Sequence, residues 1–313
     1  MRSIKVNLDR KSSSSYEIRI GKDISDRLSL LIAKNHKAAR YAVITDNIVG
    51  ELYGKKFLTA LKEIGLNASL IDFPAGESSK TIKTVVDIAE TLAVSGADRE
   101  TCLIALGGGV VGDIAGFVAS IYMRCVPYIQ IPTTLVAQVD SSIGGKTGVD
   151  LPCGKNLAGT FYQPQAVMTS LHFLNTLPPK EFNNGLAEII KYGVIDDEKM
   201  FASLEDTMTA VKSKDPKILL GVVEKCCQIK KSIVEIDEKE GGMRRILNFG
   251  HTIGHSLEAV SGYAITHGEG VAIGMVAAAR LSARMGYLKN NEAGRIEALI
   301  DQAGLPTRIP KTL

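Results

Sequence analysis

The sequence predicts an α/β nucleotide-binding domain, built on a parallel sheet with helices on both faces, followed by an all-α domain. Three observations carry that prediction. Strand-like and helix-like stretches alternate from the N-terminus to Thr134. A glycine triplet, Gly107-Gly108-Gly109, stands where a buried strand ends and a helical stretch begins. Beyond Leu177-Pro178-Pro179 strand patterns nearly vanish, and long segments of helical period take over.

The elements follow in order. Ile4–Leu8 and Tyr16–Ile20 flank a Lys/Ser-rich stretch and read as a hairpin. Tyr41–Ile44 is a short apolar run ending in Thr45-Asp46, and Leu58–Ile64 has helical spacing. Ala68–Phe73 reads as a strand, Thr81–Ser95 as an amphipathic helix, and Thr101–Leu106 as a buried strand opening onto the glycines. Tyr128–Ile131 is a further strand, ending at Pro132-Thr133-Thr134. Strands separated by helices of this length imply parallel pairing, because a parallel neighbour needs a crossover. Paired prolines start a helix but cannot continue one, so the domain boundary is expected there, giving domains 1–177 and 178–313. Glu181–Val194, Ile218–Val234 and Gly270–Met285 are helical patterns of the second domain.

Composition narrows the class. With 45% hydrophobic and 23% charged residues in 313, there is ample material for a core. A net charge of +3, spread along the chain, gives no basic stripe for nucleic acid and suits an anionic small molecule. Five cysteines without a CxxC pair read as reduced thiols rather than a disulfide frame. The N-terminus lacks a signal-peptide core, and no apolar run approaches the ~20 residues that span a bilayer. A cytoplasmic location is expected.

Gly107, Gly109 and Gly112 have the GxGxxG spacing that lets backbone amides approach a pyrophosphate. The simpler account is a strand-to-helix turn that requires positive φ. The next strand ends in Ile131-Pro132-Thr133, with no acidic residue for a ribose, so a sheet with its own nucleotide grip is expected instead of the standard dinucleotide fold. Asp46 and the segment Pro74–Lys80 also follow strands, where open parallel sheets bind ligands, although turn and cap chemistry would account for either alone. From Asp140 to Asn156 the chain reads DSSIGGKTGVDLPCGKN, dense in Gly, Lys and Asp. It is either a solvated loop or a site for phosphate and sugar hydroxyls, with Lys146 and Lys155 each following a glycine.

His251, His255 and His267 are three of the five histidines and lie within seventeen residues. Glu188 sits in an apolar helical stretch with Lys191 one turn on, which is either an ion pair or a carboxylate that wants a divalent cation. Zinc accepts both donor types. Spacing alone suggests both His251 and His255 as ligands, and does not separate two ligands from one ligand plus one acid/base group.

Six ordered segments together resemble the 3-dehydroquinate synthases, among the sugar phosphate cyclases: PAGESSK, GGGVVGDIAGFVAS, the stretch MRCVPYIQIPTTLVAQVDSSIGGKTGVDLPCGKN, GLAEIIKYG, LNFGHTIGHSLE and HGEGVAIGM. The resemblance runs from about residue 40 to about residue 285. It implies a phosphate-eliminating lyase of the shikimate pathway that uses NAD and Zn2+ or Co2+, acts as a homodimer, and carries 3-deoxy-D-arabino-heptulosonate 7-phosphate to 3-dehydroquinate. NAD removes and returns a hydride at C5 within one turnover, phosphate leaves in between, and ring opening and aldol closure follow.

The resemblance also implies roles residue by residue. The metal would be held by Glu188, His251 and His267, which makes His255 a proton-transfer and phosphate-contacting group instead of a ligand. NAD would lie over Gly107, Gly108, Gly109, Val110, Val111, Gly112 and Asp113. It would also touch Asp46, Gly76, Glu77, Lys80, Thr133, Thr134, Lys146, Lys155, Phe173 and Thr176. Substrate contacts would come from Arg124, Asp140, Lys146, Asn156, Lys191, Lys230, Arg244, Asn248 and His255. His255, Lys146, Asn248, Asn156 and Glu240 would be the catalytic set, and Arg124 would reach the partner subunit's site. Chains of the family continue past a segment seen here as Gly304-Leu305-Pro306-Thr307, into a tail whose lysine helps bind phosphate. The sequence stops at Leu313, so the resemblance implies that this lysine is missing. The rival readings are another sugar phosphate cyclase and a metal-dependent polyol or glycerol dehydrogenase of the same fold.

Overall fold

A computed structural model describes residues 1–6, 15–262 and 264–310. It divides into two compact units, Met1–Leu174 and Asn175–Leu313.

In the first unit, β1 (Arg2–Val6) pairs antiparallel with β2 (Tyr16–Gly21), Ile4 standing opposite Ile18. The expected first strand ran on through Asn7 and Leu8, which lie outside the described residues, as does most of the Lys/Ser-rich stretch. Then come α1 (Leu28–Asn35), β3 (Arg40–Asp46), α2 (Asn47–Val49), α3 (Lys55–Glu63), β4 (Ala68–Phe73) and α4 (Ile82–Val94). They are followed by β5 (Thr101–Gly107), α5 (Gly109–Ile121), β6 (Tyr128–Pro132), β7 (Lys146–Leu151), β8 (Gly154–Phe161) and β9 (Ala166–Ser170). Seven strands form one sheet in the order β1-β2-β9-β6-β5-β3-β4, and every pairing except β1–β2 is parallel.

Helices cover both faces, and the strand pleat explains how. Tyr41 and Val43 of β3, with Cys102, Ile104 and Leu106 of β5, pack with Leu28, Ile32, Phe57 and Leu61 of α1 and α3. The alternate residues Ala42, Ile44, Leu103 and Ala105 pack with Val85, Ile88, Leu92, Val111, Ile114 and Val118 of α4 and α5. A strand buried on both faces must be apolar throughout, and β5 (TCLIALG) is buried at all its positions.

One expectation is corrected here. The polar run from Asp140 is not a plain loop, because much of it forms β7 and β8, a separate antiparallel pair. Gly148 stands opposite Gly159, and a Cβ at Gly159 would lie 2.0 Å from the Thr147 carbonyl oxygen. Strand propensity is hidden in the sequence because glycine is placed there for backbone contact, and the exposed positions mix Lys146 and Asn156 with Leu157 and Phe161.

The second unit contains α6 (Pro179–Ile195), α7 (Glu198–Lys212), α8 (Pro216–Ile236), α9 (His251–Val260), α10 (His267–Arg284) and α11 (Asn290–Gln302), with no strand among its described residues. No helix of the described residues is long and apolar enough to cross a membrane. Prolines open α6 and α8 at their first position, and the Asp215 carboxylate caps α8 through the N–H groups of Lys217 and Ile218. A capping box of Thr266 and Glu269 begins α10, so Glu269 of the HGEG segment serves to start the helix at His267.

Helices α9 and α10 meet backbone to backbone. A Cβ on Gly274 would stand 1.9 Å from the Gly250 carbonyl oxygen, and one on Gly270 would stand 2.9 Å from that of Gly254. The pairs 250/274 and 254/270 run in opposite directions, so the helices are antiparallel at this contact. Gly250 is also left-handed, with φ of 82°. Gly274→Ala should therefore destabilise the protein by about 1–3 kcal/mol, because the clash is with main chain, which cannot rotate away. A urea midpoint equal to that of the unsubstituted protein would contradict this.

Candidate nucleotide and metal sites

Because β3, β4, β5, β6 and β9 run parallel, their carboxyl ends share one edge of the sheet. Onto that edge fall Asp46 after β3, Pro74–Lys80 after β4, the glycine turn after β5, Thr133 and Thr134 after β6, and Phe173 shortly after β9. Open parallel sheets bind ligands there.

The triple glycine is corrected in its physical reason. None of Gly107, Gly108, Gly109 and Gly112 has positive φ. They are glycines for want of room. A Cβ on Gly107 would meet Val111 at 2.5 Å, one on Gly108 Thr134 at 2.9 Å, and one on Gly112 Gln130 at 2.6 Å. Helix α5 thus starts tight against the sheet, and its N-cap Gly108 makes no side-chain cap bond, which leaves the first amides for an anion.

Around this turn the polar residues interlock. Lys80, 5% exposed, puts its Nζ 2.6 Å from Asp113 Oδ2 and donates to Asn156 Oδ1 at 2.6 Å. Burial lowers its pKa, but Asp113, Glu77 and Asp150 outweigh that and raise it. Lys155 stands 3.6 Å from Glu77. Asp46 accepts the N–H groups of Ile48 and Val49 through Oδ1, and Thr134 accepts that of Ala137. Lys146 is exposed at the start of β7, Asp140 is half-buried, and Val110 and Val111 lie in the first turn of α5. Arg124 stands exposed in a run of three left-handed non-glycine residues, Met123, Arg124 and Cys125 (φ 49°, 65° and 94°), which is strained backbone.

The second unit carries the carboxylate–imidazole cluster. Glu188 of α6 is fully buried, and its Oε1 lies 3.2 Å from His267 Nε2 and 3.5 Å from His251 Nε2. Its Oε2 pairs with Lys191, itself 1% exposed, so the alternatives read from the sequence coexist in one residue. The Nδ1 of each imidazole is committed elsewhere. His251 Nδ1 is 3.2 Å from the Phe249 carbonyl, and His267 Nδ1 is 3.0 Å from Glu258 Oε1. An acceptor at Nδ1 fixes a proton there, so Nε2 is the nitrogen that gives a lone pair once the imidazole is neutral. Carboxylate oxygen and two imidazole nitrogens within 4.8 Å of one another form a donor set that suits zinc or cobalt, with a coordination position left open. Burial pushes the His251 pKa down to about 4 despite Glu188. Burial also opposes charge on His267, but hydrogen bonds and charges from Glu188 and Glu258 push its pKa up to about 10.

His255 is exposed, its ring 5.3 Å from that of His251 and 5.9 Å from that of His267, and it does not join Glu188. Its grouping is with Glu258 and His267. Asn248 donates to Glu240 at 3.2 Å, and both line an open cleft of about 620 Å³ with Arg245, Ile246, Phe249 and Thr252. Asp237 shapes this turn by accepting the N–H groups of Arg244, Gly242 and Gly241, which together hold its pKa below the usual carboxylate value. Lys230 and Arg244 are buried cations in the same unit, 6% and 1% exposed, and Thr176 is exposed near its start.

Sequence reasoning missed Glu258. It lies seven residues after His251 and three after His255, on one helical face, which was the available signal. Glu258→Gln should lower metal affinity roughly 10–100-fold, because the Nδ1 proton of His267 loses its charged acceptor. Competition titration with a chelator measures this, and an unchanged constant would count against it.

Solved structures share this architecture. A 2-deoxy-scyllo-inosose synthase complexed with carbaglucose-6-phosphate, NAD+ and Co2+ superposes with a TM-score of 0.90 at 29% identity, covering 99% of this chain and 83% of that one. ValA, the 2-epi-5-epi-valiolone synthase from Streptomyces hygroscopicus subsp. jinggangensis 5008 with NAD+ and Zn2+ bound, gives 0.88 at 30% identity, covering 97% and 84%. The fold is that of the sugar phosphate cyclases. Residues 70–184 match the 3-dehydroquinate synthase N-terminal family and residues 185–313 the C-terminal one. A 3-dehydroquinate synthase of Desulforamulus reducens is 46% identical over 100% of this chain and 87% of its own length. The chain belongs to the 3-dehydroquinate synthase family.

Proposed function

We propose that the protein converts 3-deoxy-D-arabino-heptulosonate 7-phosphate to 3-dehydroquinate and phosphate, using NAD and a Zn2+ or Co2+ ion. The observation that carries this reading is the convergence of His251 Nε2 and His267 Nε2 on Glu188 Oε1, with both Nδ1 atoms already occupied. When bound, NAD supplies reversible hydride transfer at C5, and the metal polarises the reacting oxygens as a Lewis acid.

The remaining work falls to the chain. Glu188, His251 and His267 hold the metal. Lys146, Asn156, Asn248 and His255 hold the phosphate, and His255 also carries a proton. Lys230 and Arg244, both buried cations, take the substrate carboxylate, which favours this substrate over the uncharged rings made by other cyclases. Asp140, Lys191 and Glu240 complete the substrate shell, and ring closure needs mainly a held conformation. The dinucleotide lies over the glycine turn and touches Asp46, Gly76, Glu77, Lys80, Thr133, Thr134, Lys146, Lys155, Phe173 and Thr176. The enzyme acts in the cytoplasm as a homodimer, with Arg124 presented by its strained turn to the partner.

Incubation with the heptulosonate phosphate, NAD and Zn2+ tests this. Phosphate and product should appear together without net NADH. Stoichiometric NADH would instead mark a dehydrogenase, and turnover of other cyclases' sugar phosphates in preference to this one would mark another cyclase.

A further inference from the structure

Asp150 lies at the irregular register of the β7–β8 pair, between Val149 and Leu151. Irregularities of this kind re-aim a side chain. Here the Asp150 carboxylate Oδ1 accepts the N–H of Asn156 at 2.7 Å, while the Asp150 N–H donates to the Lys80 carbonyl at 2.8 Å. Asn156 is exposed and left-handed, with φ of 57°. That conformation is open to asparagine but must be held by its surroundings.

The side chain of Asn156 is held as well. Lys80 Nζ lies 2.6 Å from its Oδ1, and an ammonium has only donors, so the amide oxygen must face Lys80. The amide nitrogen, with two N–H donors, is thereby turned the other way. A planar amide whose oxygen is anchored on a buried cation offers only donors beyond it, which is the polarity an anionic oxygen requires. Lys80 is in turn fixed on Asp113, in the first turns of α5.

We infer that Asp150 is a positioning residue: with Lys80 it clamps Asn156, main chain and side chain, so that the amide N–H groups of Asn156 face the substrate phosphate. The inference rests on Asn156 being a phosphate contact, as proposed above. Asp150 touches no reacting atom and acts through Asn156. An aspartate at this site contributes an acceptor of fixed reach rather than charge on the ligand, where a carboxylate would repel phosphate.

The test uses the NAD- and zinc-loaded enzyme with inorganic phosphate as the competing ligand. Asp150→Ala should raise KM and the phosphate inhibition constant about tenfold, the scale of one lost charge-assisted hydrogen bond, while kcat changes less. Asp150→Asn keeps an acceptor in place and should restore most of the affinity. Zinc content and NAD affinity should stay at the level of the unsubstituted enzyme in both. In an Asn156→Ala background, Asp150→Ala should add nothing further, since coupled positions are not additive. Additive losses, or parallel loss of zinc, NAD and phosphate binding in Asp150→Ala and Asp150→Asn, would overturn the inference in favour of a plain structural role. If Asn156→Ala alone leaves phosphate inhibition unchanged, Asn156 is no phosphate contact, and the proposed reading of that residue falls together with the inference.

Discussion

Glu188→Ala should yield a protein that no longer retains zinc or cobalt through dialysis and has no measurable turnover. The carboxylate is the one donor that both imidazoles address, and it supplies the negative charge of the donor set. Loss of a ligand should exceed the roughly 10–100-fold that an outer partner costs. The metal-free variant should suffer a second penalty. Lys191, 1% exposed, would lose the carboxylate it pairs with, and breaking a buried pair from one side costs about 3–5 kcal/mol. Glu188→Gln keeps the volume and removes the charge, so it distinguishes loss of the negative donor from loss of packing. Full metal content by elemental analysis in both variants would refute the assignment of Glu188.

His255→Ala should have the opposite pattern, keeping the metal and losing turnover by about 100–10,000-fold, the usual contribution of a positioned proton-transfer group. The geometry favours this outcome. His255 is exposed and stands outside the donor group that Glu188 forms with His251 and His267. If the metal is lost along with activity, His255 is a ligand, and the simple i,i+4 pairing of His251 with His255 regains its force.

Much of the fold was legible because burial imposes period. A strand covered on both faces must be apolar without interruption, as in Thr101–Leu106, and an amphipathic helix must repeat at its own pitch, as in Thr81–Ser95. The β7–β8 pair was not legible, because Gly148 and Gly159 are chosen for contact between main chains and leave no hydrophobic signature. The account of the triple glycine as a turn requiring positive φ fails for a related cause. Sequence reveals that a side chain is absent, but whether the absence serves a dihedral angle or a neighbour such as Val111 or Thr134 depends on what packs there.

The same division runs through the candidate sites. Composition, the ordered motifs and the alternation of strand and helix determined the architecture and the types of donor available, since these depend on residues close in sequence. Which donors converge was decided by tertiary structure. His251 and His255 are equivalent in spacing, and only the antiparallel glycine contact of α9 and α10 sets His267 beside His251 and turns both Nε2 atoms to Glu188. Glu258 behind His267 and Asp150 behind Asn156 belong to that same level. Their roles are distances and directions between groups on different elements, and these exist only once the elements have packed.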